Sequence, residues 1–136
     1  MSGLFSGLTR SELMSRIRSR GNKRTELALV AILKRNHITG WRRHLKLPGH
    51  PDFAFQTSKV AVFVDGCFWH GCPRCYRRPR SNQAFWDAKV TNNRNRDRRV
   101  ARELRKNGWR VVRIWEHSLR QPVPILSRIR NALEGS

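Results

Sequence analysis

Acidic residues are scarce in this sequence. Nine Asp and Glu stand against 29 Lys and Arg in 136 residues, a formal net charge of +20. A surplus of that size repels itself unless a polyanion is near, which makes nucleic acid the leading partner. The chain has no apolar run of 18 residues and no basic amphipathic helix standing alone, so no membrane partner is expected. No signal-peptide pattern opens it, and a cytoplasmic, nucleoid-associated protein is expected. Repeats and low-complexity segments are missing too. The Arg residues are spread through segments that also carry periodic apolar residues, which argues against a basic disordered tail. Cysteine is limited to three residues between Cys67 and Cys75. An odd, clustered set suits a metal better than a disulfide framework. The length fits one domain, 1–136, with a single ordinary core.

Taken in order, residues 1–20 read as an N-terminal arm, with Thr9 or Ser11 capping a short helix. Gly21-Asn22 is a break. Thr25 is placed to cap a second helix, Glu26 to about Asn36, with Leu27, Val30, Ala31 and Leu33 or the Lys34 stem on one side, and Gly40 ends it. Trp41 to Lys46 is expected as a basic strand, Leu47 to Pro51 as a turn, and Asp52 to Gln56 and Lys59 to Val64 as two strands joined at Thr57-Ser58. An arginine-rich loop, Arg77 to Arg80, leads to Ser81, read as the cap of a long helix reaching Lys106-Asn107 and stopped by Gly108. Trp109 to Trp115 is strongly strand-like, and Pro122 starts a last helix, Val123 to Leu133. Within this order, the αβββαβ portion is the core plan of restriction-endonuclease-like nucleases, an α/β fold that other small domains can share.

Chemistry concentrates after the central strand, where Asp65, Cys67, His70, Cys72 and Cys75 fall within eleven residues. Cys67-x4-Cys72-x2-Cys75 offers three thiolates, and tetrahedral zinc needs a fourth ligand, either His70 in the loop or a distant residue such as His117. Three buried reduced thiols are the plain alternative. Asp52 opens one strand of a predicted hairpin and Asp65 closes the next, which brings two acids to one edge of a sheet. Phosphodiester cleavage needs a divalent cation on the scissile phosphate and a base for the water, and Mg2+ prefers such oxygen ligands. Ordinary salt bridges to the abundant Arg residues are the rival account. His70 suits a base, a phosphate contact or a zinc ligand. Glu26, near a helix start, is either dipole-stabilised or within reach of a metal-bound water. Phe68 and Trp69 sit on a loop that has no evident need for large apolar side chains, and Trp86 suits either a core or an exposed role; wedging between bases would use them. Arg94, Arg96, Arg98 and Arg99 on the long helix have no acidic face to balance them, which favours phosphate contacts.

Pro51-Asp-Phe53, Phe63-Val-Asp-Gly-Cys-Phe-Trp-His70, Phe85-Trp86, Asn93 with Arg96-Asp-Arg-Arg99, and Gly108-Trp-Arg-Val-Val with Trp115-Glu116 together resemble the very short patch repair endonucleases, the Vsr family. Thr9-Arg-Ser11, Met14 and Thr25-Glu26 also fit, so the resemblance runs from about Thr9 to Leu119. It implies a restriction-endonuclease-like fold with a structural zinc loop, and a Mg2+-dependent nick beside the T of a T:G mismatch in double-stranded DNA. Such mismatches arise when 5-methylcytosine deaminates, which implies a functional link to a cytosine-5 DNA methyltransferase. It further implies a monomer in which Asp52 and the main-chain carbonyl of Val64 hold Mg2+, His70 is the base or phosphate contact, and Glu26 is accessory. On the same resemblance Cys67, Cys72, Cys75 and His117 would hold the zinc. Phe68, Trp69 and Trp86 would form the wedge, and Met14, Asn93 and Arg96 are expected to add DNA contacts. Asp65 stands where the best-known family pattern has a second His, and Cys72 and Cys75 stand in a loop that is richer in His there. A restriction-type nuclease and a zinc-stabilised DNA-binding module without activity are the competing readings.

Overall fold

The computed structural model describes residues 24–135. The arm at 1–20, its Thr9 or Ser11 cap and Met14 lie outside that range. The elements are α1 (24–35), β1 (Trp41–Arg43), β2 (Phe53–Phe55), β3 (Val60–Asp65), α2 (Gln83–Lys106), β4 (Arg110–Trp115), a 3-10 turn (Glu116–Arg120) and α3 (Pro122–Glu134). The four strands form one sheet in the order β1-β2-β3-β4. The first three run antiparallel, and β4 joins β3 in parallel after the α2 crossover.

All six residues of β3 are buried, because helices cover both faces of the sheet. Alternation along the strand divides them. Val60, Val62 and Val64 join Phe53, Phe55, Val112 and Ile114 in the core shared with Leu29, Ile32 and Leu33 of α1 and Ile125, Leu126 and Ile129 of α3. Ala61 and Phe63 face the other way, toward Leu104 of α2, with Val111 alongside. Asp65 falls in phase with Ala61 and Phe63, and Arg113 in phase with Val111. The strand-end charges therefore share the α2 side of the sheet.

Several sequence expectations need correction. The buried stripe of α1 runs through Thr25, Glu26, Leu29, Ile32 and Leu33, so of the expected stripe Leu33 is buried and Val30 packs at its edge, while Leu27, 49% exposed, and Ala31 face outward. Thr25 lies inside the helix and is not its cap. The helix ends before Gly40: His37, at φ 58°, is left-handed, and the Ile38 N–H reaches the Leu33 carbonyl at 3.0 Å while the His37 N–H reaches that of Lys34 at 3.2 Å. That pairing closes a helix C-terminus without glycine. Strand β1 stops at Arg43 because His44 also has positive φ, and β3 begins at Val60 because Lys59 is left-handed in the turn. Ser81 is not the cap of α2. Asn82 precedes its first residue in left-handed geometry, a conformation Asn tolerates, with no side-chain cap bond. Gly108, expected as the stop of α2, has φ 87° and lets the Trp109 N–H bond the Leu104 carbonyl at 2.9 Å.

Candidate active site and metal centre

The parallel pairing of β3 with β4 builds the first site. Asp65 pairs with Trp115 in register, so Cys67 and His117 each lie two residues beyond the same line. The loop after β3 folds back on itself, with the Cys72 N–H on the Cys67 carbonyl at 2.9 Å, and the Tyr76 N–H on the Cys72 carbonyl at 2.9 Å. This turn carries all three thiols to the His117 ring. The His117 Nδ1 is 3.3 Å from Cys67 Sγ, 3.6 Å from Cys72 Sγ and 3.3 Å from Cys75 Sγ. Tetrahedral zinc, with bonds of about 2.3 Å to sulfur and about 2.0 Å to nitrogen, sets S–N edges near 3.5 Å, so this donor set fits a closed metal site. Burial pushes the Cys67 thiol up to about 12, and a hydrogen bond with His117 only partly offsets it. A thiolate at that position needs a cation beside it. Of the two histidines left open by spacing, His117 joins the cysteines and His70 does not.

His70 belongs to a second cluster. Its Nδ1 lies 2.5 Å from Asp97 Oδ2, and its Nε2 is 3.9 Å from Asp65 Oδ1. Arg113 links the two acids: Nη1 is 2.9 Å from Asp65 Oδ1 and 3.6 Å from Asp97 Oδ1, and the guanidinium carbon sits 4.3 Å above the Phe63 ring. An ionised carboxylate only accepts hydrogen bonds, so the His70–Asp97 contact places a hydrogen on Nδ1, and in the neutral ring the lone pair is then on Nε2. Gly71 follows His70 at φ 62°, and a Cβ there would come within 2.6 Å of Val90 Cγ1. Arg94 caps the carbonyls of His70 and Gly71. The ring is therefore held from both its side-chain and its main-chain ends.

Asp52 lies just before β2, across from the end of β3, and its Oδ2 accepts the Val64 N–H at 2.7 Å. Burial raises its carboxyl from 3.8 to about 7; the Val64 N–H pulls the other way, while Glu26 and Asp65 add to the rise. Burial also raises the Asp65 carboxyl, against the pull of Arg113 and His70. Asp52, Val64, Asp65, Trp69, His70 and Arg96 line one cleft, together with Asp97 and Arg113. A buried carboxyl such as Asp52, whose charge is costly without a partner, is well suited to exchange its proton for a cation. Glu26 is buried, 3.4 Å from Arg43 Nη2 and 3.6 Å from His44 Nε2.

The aromatic residues form one group at the rim. The Phe68 ring centroid is 5.4 Å from Trp69 and 5.1 Å from Trp86, and the two tryptophans are 6.1 Å apart. All three are half-buried. Asn93 differs from its sequence expectation. It is only 5% exposed, and its Nδ2 donates to the Trp69 carbonyl at 2.7 Å, so it supports the aromatic loop from beneath and offers no surface contact. Arg96 is exposed and lines the cleft.

Sequence reasoning missed two members of this site, Asp97 and Arg113. Asp97 falls on the inward stripe of α2, with Asn93 before it and Ala101 and Leu104 after it. A carboxylate on an apolar stripe is the signal that marks it. Arg113 is the one charged residue between Val111 and Trp115 on its face of β4.

The first 77 residues carry a family signature. The profile described as DNA mismatch endonuclease Vsr matches residues 2–77. Type II nicking enzyme V.XorIIP of Xanthomonas oryzae pv. oryzae is 39% identical over 132 residues, covering 93% of each chain. DNA mismatch endonuclease Vsr of Escherichia coli is 34% identical over 122 residues, 88% of this chain and 77% of that protein. Type II nicking enzyme V.NaeI of Lentzea aerocolonigenes is 52% identical over 67 residues, 49% of this chain and 40% of that one.

Proposed function

Because the chain belongs to the Vsr family of DNA mismatch endonucleases, we propose that it nicks one strand of double-stranded DNA beside the T of a T:G mismatch left by deamination of 5-methylcytosine. The observation that carries this reading is the shared cleft: the acid Asp52, the histidine His70 and the wedge residue Trp69 line a single depression. A protein that only bound DNA would have no use for that set.

In this reading Asp52 and the Val64 carbonyl hold Mg2+, which supplies charge neutralisation at the scissile phosphate when bound. Asp52, whose carboxyl burial raises to about 7, would give up its proton as the cation binds, because the cation offsets the cost of burying the charge. His70 takes the proton of the attacking water on Nε2, and Asp97 orients the ring through Nδ1. Asp65, bonded to Arg113, is a positioning group, not the base. Glu26 acts through Asp52, whose carboxyl it helps keep raised. Phe68, Trp69 and Trp86 press into the duplex at the mismatch, where a wobble pair unstacks at lower cost than a Watson–Crick pair. Zinc on Cys67, Cys72, Cys75 and His117 fixes the loop that carries His70 and the wedge. The fold is of the restriction-endonuclease type, acting as a monomer in the cytoplasm alongside a cytosine-5 methyltransferase.

The test is a supercoiled plasmid bearing a single T:G pair, incubated with Mg2+ beside a C:G control. Open circles from the T:G plasmid alone are expected. Linear product would instead indicate a restriction-type double cut, and no cleavage a binding module.

A further inference from the structure

Two acids, Asp65 and Asp97, hold the Arg113 guanidinium, and His70 lies against both of them. Oxygen atoms of Asp65 and Asp97 and a ring nitrogen of His70 all lie within 4.8 Å of one another, a spacing near what one cation with bonds of about 2.1 Å can span. Two carboxylates and an imidazole are a donor set for a divalent transition metal. Yet the space has an occupant already. Arg113 reaches Asp65 at 2.9 Å and Asp97 at 3.6 Å, donates to the Asp97 carbonyl at 3.5 Å, and is held in place by the Phe63 ring.

We propose that Arg113 is an internal cation that fills the Asp65–His70–Asp97 ligand set, so that the cleft takes no divalent cation there. Two consequences follow. Asp65 is committed to Arg113, which removes it from competition as a base or metal ligand. His70 keeps Nε2 free, because no metal binds that nitrogen. The geometry of this cluster carries the inference; the reading of Asp52 as a cation ligand enters only in the interpretation of the wild-type count.

The probe is Co2+, whose visible absorption reports nitrogen and oxygen ligation, titrated into zinc-loaded, Mg2+-free protein and counted by equilibrium dialysis. Arg113→Met keeps the length and apolar stem but removes the charge, and it should bind one Co2+ more per chain than wild type. Arg113→Lys keeps a cation in place and should bind no more than wild type. The added ion should persist in Arg113→Met combined with Asp52→Asn, and vanish with Asp97→Asn. Arg113→Met counts equal to wild type, or an added ion that survives Asp97→Asn, overturn the proposal. If Arg113→Met fails to fold in Mg2+-free buffer, Co2+ should restore its cooperative melt, and failure to do so also overturns it. A wild-type count that does not depend on Asp52, or an absence of nicking, would count against the nuclease reading and leave the difference of one ion standing.

Discussion

Replacing Asp52 with Asn should make the metal-free protein more stable while it abolishes nicking. The carboxyl of Asp52 is raised from 3.8 to about 7, chiefly by burial. At 1.36 kcal/mol per pH unit, that rise means ionised Asp52 destabilises the metal-free fold by about 4 kcal/mol above pH 7. The sign follows from proton counting. Between 3.8 and about 7 the folded state holds a proton that the unfolded chain has released, so stability is fully present below 3.8 and is lost as pH rises through 7. Asn does not titrate, and its carbonyl can still accept the Val64 N–H that Asp52 accepts at 2.7 Å. Some desolvation remains for the amide, so a gain of about 2 kcal/mol at pH 8 is a fair expectation. For a chain of this size that is a rise in Tm of about 6 °C or more. The assay is a pair of thermal melts, wild type and Asp52→Asn, at pH 5 and pH 8, with and without Mg2+. The gap should be wide at pH 8, narrow at pH 5, and reduced by Mg2+, which stabilises only the wild type. A variant that melts at or below wild type at pH 8, or a gap that ignores pH, refutes the electrostatic account. Normal nicking by the variant refutes the catalytic one.

Other outcomes test the remaining parts. His70→Ala should lower the nicking rate by roughly 100-fold while keeping one zinc per chain, as read by metal analysis, because His117 completes the thiolate cluster. His117→Ala should instead lose zinc and melt at lower temperature, since metal binding contributes folding free energy; an unchanged metal content would remove His117 from the site. Phe68→Ala and Trp69→Ala should each lose T:G nicking far more than nonspecific binding, and normal nicking by both would end the wedge idea. Duplex affinity should fall steeply with salt, with a slope of about −0.9 for each phosphate neutralised, and Arg98, Arg102 and Arg105, which line one groove beside α2, should each contribute when changed to Gln.

Most of the strand and helix order was readable because the apolar patterning is strong: five apolar residues in a row at Val60 to Val64, and a long helical stretch closed by Gly108. Errors gathered at turns whose backbone needs positive φ but whose residue is not glycine. His37, His44, Lys59 and Asn82 all adopt it, and none announces a boundary the way Gly40 does, so helix ends and strand lengths were misjudged by a few residues. The phase of the α1 stripe is hidden in the sequence for a different reason. Leu27 looks like core by type, and only the packing against the sheet shows that Glu26, Leu29 and Leu33 are the buried side. That phase also explains why Glu26 looked like a helix-start charge and turned out to be a buried carboxylate beside Asp52.

The metal cluster and the cleft differ in how far they depend on tertiary pairing. Three thiols on one loop point to a metal site from spacing alone, and only the fourth donor, 42 residues beyond Cys75, requires the register of β3 against β4. The cleft depends on that register throughout. His70 meets Asp97 across 27 residues and Asp65 meets Arg113 across 48, and no local pattern links either pair. Asp65 looked like half of a carboxylate pair with Asp52 because the hairpin does bring both strand ends together. The parallel neighbour then decides its role. Arg113 on β4 shares its face and lies 2.9 Å away, and a half-buried guanidinium at that distance offers the acid a fixed counter-charge. A strand-end carboxylate can thus be read from sequence as present, but its chemistry is set by whichever strand pairs beside it.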